Sequence, residues 1–167
     1  MNDVSVILLF GEGWQRLTPS HIMNLICWNC RGLGVPRAVQ ELVNRYNPLV
    51  LFLSETKKKS SKMDWLRSRW DFENCFAVDS VGKGGGLALL WMNEVFVEIL
   101  SYSNSHIDAR IGNINMGNAW RFTGFYGSPV VRYQSNSWEL LRQLHMSQSM
   151  PWLCAGTSMK SFVRMRS

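Results

Sequence analysis

The sequence predicts an α/β fold, a mixed β-sheet with helices packed outside it. Three observations carry this. Two short apolar runs, Leu25-Ile26-Cys27-Trp28-Asn29 and Leu49-Val50-Leu51-Phe52-Leu53, read as buried strands. The stretch between them has helical spacing, which makes a strand–helix–strand crossover. After that crossover the chain is mostly β-prone, which suggests hairpins that continue the sheet. One such sheet, or two packed face to face, fits the pattern.

The elements follow in order. Residues 24–29 form the first strand. Gly32-Leu33-Gly34-Val35-Pro36 is a turn, and Pro36 suits the first position of a helix running to about Tyr46. Val39, Leu42 and Val43 give that helix its apolar face. Asn47-Pro48 ends it, and residues 49–54 form the second strand. A second helix starts within Ser60-Ser61-Lys62-Met63-Asp64, with Trp65, Leu66 and Trp70 expected to face inward. Residues 73–78, 86–91, 95–100, 106–111 and 119–126 are β-prone, and Met92-Asn93-Glu94 fits a tight hairpin between two of them. A helix is expected from Ser137 to His145, with Leu140, Leu141 and Leu144 as its apolar face, and Trp152-Leu153-Cys154-Ala155-Gly156 as a last strand. The final residues show no pattern and are expected to fray.

Composition bounds the function. A chain of 167 residues suits one domain or most of a larger one, and 46% apolar with 12% aromatic residues argues against disorder. The net charge of +6 favours acidic partners such as nucleic acid, although many globular proteins carry as much. Cysteines at 27, 30, 75 and 154 do not resemble a disulfide framework, so an intracellular, reduced chain is expected. No apolar run approaches the roughly 18 residues of a membrane span, and Val4–Phe10 lacks the flanks of a signal peptide.

Functional groups in an open α/β sheet collect at the carboxyl ends of strands. Asn29 ends the first strand and Glu55 follows directly after the second, and an amide with a carboxylate is a donor pair for a divalent metal near a phosphate. Cys27-Trp28-Asn29-Cys30 has redox spacing, but Cys27 lies within a strand and no helix start follows at once, so small apolar roles are expected. Lys57, Lys58, Lys59 and Lys62 form a basic run that can track a phosphate backbone or be a solvated loop. Gly82-Lys83-Gly84-Gly85-Gly86 lacks the order of a phosphate loop and reads as a turn before a buried strand. His106 and Asp108 share a strand face and are expected to hydrogen-bond structurally.

Four segments appear in sequence order: Cys27-Trp28-Asn29-Cys30-Arg31-Gly32-Leu33-Gly34, Phe52-Leu53-Ser54-Glu55-Thr56-Lys57, Gly85-Gly86-Leu87-Ala88-Leu89-Leu90-Trp91 and Arg121-Phe122-Thr123-Gly124-Phe125-Tyr126-Gly127. Over residues 23–157 they resemble the amino-terminal half of an endonuclease/exonuclease/phosphatase domain, and most of all the endonuclease region of plant LINE-type (non-LTR) retrotransposon polyproteins. The resemblance implies a truncated four-layer α/β sandwich, two mixed sheets flanked by helices. It implies a Mg²⁺-dependent DNA endonuclease ancestor, with Glu55 as metal ligand, Asn29 supporting metal and phosphate, and Tyr126 contacting the reacting phosphate. DNA as partner and a nuclear location follow from the same resemblance.

The sequence departs from that pattern where the family reads Gly-Asp-Phe-Asn. Here it reads Gly156-Thr157-Ser158-Met159. Thr157 replaces the acid that activates water and Met159 replaces the amide that holds phosphate; neither can substitute chemically. The family's later Asp and its Asp–His pair belong to a carboxyl-terminal half not in this sequence. The expectation is an inactive relative; the alternatives are a non-catalytic nucleic-acid-binding module and a retroelement fragment without function. Residues 1–22 are expected to be a leader outside the family-like segment, and residues 158–167 an unstructured tail. Missing strands would leave exposed edges, so self-association is expected.

Overall fold

The computed structural model describes residues 4–9, 23–31, 36–127, 139–144 and 150–156. Its strands are β1 (Val4–Leu9), β2 (Met23–Asn29), β3 (Val50–Ser54), β4 (Asn74–Val78), β5 (Leu87–Trp91), β6 (Val97–Ser103), β7 (His106–Ile111), β8 (Trp120–Phe125) and β9 (Trp152–Gly156). Its helices include α1 (Pro36–Tyr46) and α2 (Ser60–Arg69), with residues 139–144 also helical. The strands form a five-stranded sheet in the order β1-β2-β3-β5-β4 and a four-stranded sheet in the order β6-β7-β8-β9. Both are mixed: β2 runs parallel to β3, and β8 parallel to β9, while the remaining pairs are antiparallel.

Apolar alternation builds the layers. Leu25, Cys27, Val50, Phe52, Leu87 and Leu89 of the first sheet meet Ile107, Ala109, Ile111, Trp120, Phe122, Leu153 and Ala155 of the second. The opposite faces of β2, β3 and β5 present Ile26, Trp28, Leu51, Leu53, Ala88 and Leu90 to Val39 of α1 and to Met63, Leu66 and Trp70 at α2. Strands buried on both faces need continuous apolar runs, which is why β2 and β3 stood out in the sequence. At the centre, the Phe52 ring packs edge-on against Phe122 with centroids 5.7 Å apart. A Cβ built on Gly124 would lie 2.5 Å from the same ring.

The α1 prediction holds end to end. Asn47 adopts φ 43° and its amide donates to the Val43 carbonyl at 2.8 Å, the left-handed close that Asn tolerates. α2 receives its cap from a distance: Asp79 Oδ1 accepts from the Ser60 amide at 2.7 Å.

Two expectations are corrected. Trp65 is 49% exposed, because the buried stripe of α2 follows Met63, Leu66 and Trp70, and Trp65 lies off it. Met92-Asn93-Glu94 is not a hairpin connection. β5 already has β3 and β4 on its two edges, so the chain turns through Val95 N–H to the Met92 carbonyl (3.0 Å) and crosses to the second sheet. Within residues 1–22, β1 pairs with β2 so that Val4 lies opposite Trp28 and Leu9 opposite Met23. This strand gives β2 a neighbour on the edge away from β3. The tail and the residues at 157 and 159 lie outside the described residues. No described helix is long and apolar enough to cross a membrane.

The outer face of the second sheet is polar yet buried. Arg121 donates to Asp108 through Nε at 2.8 Å and Nη2 at 2.7 Å, and Thr123 Oγ1 donates to the same carboxylate at 2.7 Å. Trp152 Nε1 donates to Thr123 Oγ1 at 2.9 Å, and Arg121 Nη1 reaches the Leu144 carbonyl of the 139–144 helix. His106 sits between Ser103 Oγ (2.6 Å from Nδ1) and Ser101 Oγ (3.1 Å from Nε2). Burial lowers its pKa, against the opposing pull of Asp108.

Three outcomes follow from this packing. Phe52 is fully buried and cannot retreat, so Gly124→Ala should lower stability in urea unfolding by about 1–3 kcal/mol. Arg121→Met leaves the Asp108 charge buried and unpaired and should cost about 3–5 kcal/mol, much of it recovered by adding Asp108→Leu. Because the folded His106 pKa lies below its ordinary 6.5, the unfolded chain takes up protons first on acidification. The thermal midpoint should therefore fall as pH drops below about 6.5, and less steeply in His106→Gln.

Candidate functional site

The site grows from the carboxyl ends of β2, β3 and β8. Asn29 pairs with Ser54 in the parallel register, so the last residue of β2 stands beside the last residue of β3. The Cys30 amide then donates to the Ser54 carbonyl at 2.9 Å and extends the pairing one step. Asn29 is buried, and its side-chain oxygen accepts from the Arg31 amide at 3.0 Å, which fixes the turn where Arg31 takes φ 45°.

Glu55 is the first residue past β3. It and Lys57 adopt positive φ, 51° and 52°, a conformation uncommon for side chains larger than Gly and concentrated at functional loops. The glycine run holds this loop. The Thr56 amide donates to the Gly86 carbonyl at 3.1 Å, and the Lys57 amide to the Gly85 carbonyl at 2.9 Å. Gly86 has φ 87°, and a Cβ there would lie 2.4 Å from Thr56 Oγ1. From the sequence, Gly82-Lys83-Gly84-Gly85-Gly86 reads as a turn and Gly85-Gly86 opens a family-like segment, but neither reading names Thr56 and Lys57 as its partners. The signal available was its place directly before a buried strand that neighbours β3.

Tyr126, the first residue past β8, anchors its amide on the Ser105 carbonyl at 2.7 Å. Its hydroxyl donates to Glu55 Oε1 and so joins the ends of the two sheets. Burial, then the hydrogen bond to Glu55 and the charge of that carboxylate, push the Tyr126 pKa up to about 12. Near neutral pH the phenol keeps its proton and remains a donor.

The structure therefore brings Glu55 and Tyr126 into contact and sets Asn29 one strand away. Thr157 and Met159 lie outside the described residues. The lysines surround the loop with unequal freedom. Lys57 is exposed and Lys58 half-buried, whereas Lys59 Nζ sits 3.2 Å from the Ser80 carbonyl and 3.8 Å from Asp79. Lys62 lies over the Trp65 ring, 3.7 Å from its centroid. Cys27 and Cys30 are unbonded thiols. Burial raises the pKa of both, that of Cys30 to about 12, so neither is a ready thiolate.

Among the described residues no group of three or more His, Cys, Asp or Glu gathers into a protein cage for a metal. The Glu55 carboxylate and the Asn29 amide oxygen are nonetheless hard donors of the kind Mg²⁺ takes, since that ion keeps several waters and needs only one or two carboxylates.

Comparison with known proteins agrees with this architecture. The humanized D. rerio TDP2 crystal structure is similar with TM-score 0.64 and 16% identity, over 83% of this chain and 63% of that one. A 3′ phosphatase, NExo from Neisseria, bound to a product DNA hairpin, gives TM-score 0.57 and 19% identity over 80% and 56%. The endonuclease domain of TRAS1, a telomere-specific non-LTR retrotransposon, gives 0.55 and 11% over 82% and 59%. At these identities the likeness is one of fold, and the chain spans about three fifths of the length of these structures. No curated protein sequence matches it. The Endonuclease/Exonuclease/phosphatase family model matches residues 26–156, from the first buried strand through β9, and the chain belongs to that family.

Proposed function

We propose that this chain is a catalytically inactive relative of the Mg²⁺-dependent DNA endonucleases of LINE-type retroelements. The Glu55–Tyr126 hydrogen bond between the two sheets carries the proposal, because it joins a metal-binding carboxylate and a phosphate-contacting phenol at one strand-end cleft. The TRAS1 endonuclease domain shares the fold and points to the retroelement class. The Neisseria structure bound to a DNA hairpin supports DNA as the partner.

Glu55 would hold the metal, with Asn29 beside it supporting metal and phosphate; Mg²⁺ would supply charge neutralisation at the phosphate. Tyr126 stays protonated, orients the Glu55 carboxylate and offers its hydroxyl to a phosphate oxygen. Asn29 fixes the Arg31 turn through its own oxygen. Lys57, Lys58, Lys59 and Lys62 would approach the DNA backbone. What the chain lacks is a base for the attacking water: the sequence carries Thr157 where an acid belongs, and Met159 where an amide would grip phosphate. A missing base or electrostatic stabiliser each removes orders of magnitude of rate.

Supercoiled plasmid incubated with the protein and Mg²⁺ should show no nicking above buffer, and Glu55→Ala should change nothing. Mg²⁺-dependent nicking that Glu55→Ala abolishes would overturn the claim of inactivity.

A further inference from the structure

α2 buries Met63 and Leu66, and Trp70 just beyond its end is also buried, yet the helix leaves its other large aromatic, Trp65, half exposed. The neighbours of Trp65 on the helix surface are set by spacing. Ser61 and Ser68 stand at i−4 and i+3, both exposed, and Lys62 and Arg69 at i−3 and i+4. The Lys62 ammonium lies 3.7 Å and the Arg69 guanidinium 5.1 Å from the indole centroid. The acidic residue of the helix, Asp64, is engaged elsewhere, by Arg67 Nε at 2.9 Å. Arg67 itself turns to the Phe72 and Glu73 carbonyls. The strip is thus an exposed aromatic face flanked by two cations and two small hydroxyls.

That composition complements a polyanion with exposed π-faces. We infer that Lys62, Trp65 and Arg69 form a stacking platform for an unpaired base of a single-stranded nucleic acid, with the two cations taking the flanking phosphates. A cation on an exposed ring is held less strongly than a stacked base, so the base displaces the Lys62 head group and the flexible stem carries it to phosphate. Seven residues separate Lys62 from Arg69, about 10 Å along a helix, a reach compatible with phosphates on either side of one stacked nucleotide. The platform lies on the helix that begins just past Lys57, Lys58 and Lys59. It rests on the proposed DNA partnership but not on catalysis. A duplex buries its base faces and cannot use the indole this way.

The test is fluorescence anisotropy with a labelled single-stranded oligonucleotide and the same sequence as a duplex, at low and moderate salt. Trp65→Ala should weaken single-strand binding about tenfold while duplex binding stays within about twofold, and Trp65→Phe should keep most of the affinity. Lys62→Gln and Arg69→Gln should each flatten the salt dependence. Trp65 is off the buried stripe, so thermal midpoints of these variants should match the parent. Wild-type binding to DNA with no loss in Trp65→Ala, or with equal loss for both DNA forms, overturns the platform alone. No binding of wild-type protein to either form overturns the platform together with the DNA partnership.

Discussion

The contact between Phe52 and Gly124 sets the distance between the two sheets. A glycine in β8 lets the Phe52 ring of β3 come against the opposing backbone, where any side chain would collide with it. Phe122 then closes on the ring edge-on. The consequence reaches the site within a few residues. Glu55 lies three positions past Phe52, and Tyr126 two past Gly124, so the same approach that packs the core brings the carboxylate under the phenol. A wider gap between the sheets would separate them.

The two faces of the second sheet solve burial differently. Its inner face is dry and apolar, built from Ile107, Ala109, Phe122 and Leu153. Its outer face buries Asp108, Arg121 and Thr123, and satisfies them through one bidentate pair extended by Thr123 and Trp152. Such a network is costly if broken and adds little over an apolar alternative when intact. Its geometry has a directional effect, however. Arg121 spans from Asp108 on β7 to the Leu144 carbonyl, so it fixes where the 139–144 helix lies against the sheet. Apolar packing alone would permit that helix to slide.

Much of the fold was legible because burial on both faces forces continuous apolar runs, and β2 and β3 could be read from them directly. α1 was legible from Pro36 at one end and Asn47-Pro48 at the other. Asn29 was singled out because it ends one such run, Glu55 because it lies just past the other, and Tyr126 through the family resemblance. What the sequence hid was relational. Partner choice among strands depends on which edges are already filled, so Met92-Asn93-Glu94 looked like a hairpin although β5 had no free edge. Helix phase decided Trp65, where one step along the chain rotates a residue by about 100° off the buried stripe. Gly86 supports the Glu55 loop through a hydrogen bond to Thr56, and a glycine run carries no mark of the partner it must approach.

The Glu55–Tyr126 pair also has a structural role that does not depend on turnover. Tyr126 is half-buried and its hydroxyl needs an acceptor once it leaves water. Glu55 supplies one from the other sheet, and in doing so pins the two strand ends to each other. Removing either partner leaves a polar group without its mate at the rim of the sandwich. In the proposed reading Thr157 and Met159 stand where a base and a phosphate anchor would be expected. The proposed loss of catalysis and the Glu55–Tyr126 contact are compatible: the first concerns groups that would act on substrate, while the second concerns a hydrogen bond whose absence costs the folded chain itself. Glu55 is thus held by a structural constraint whatever its chemistry, and the proposed inactivity rests on the residue at 157.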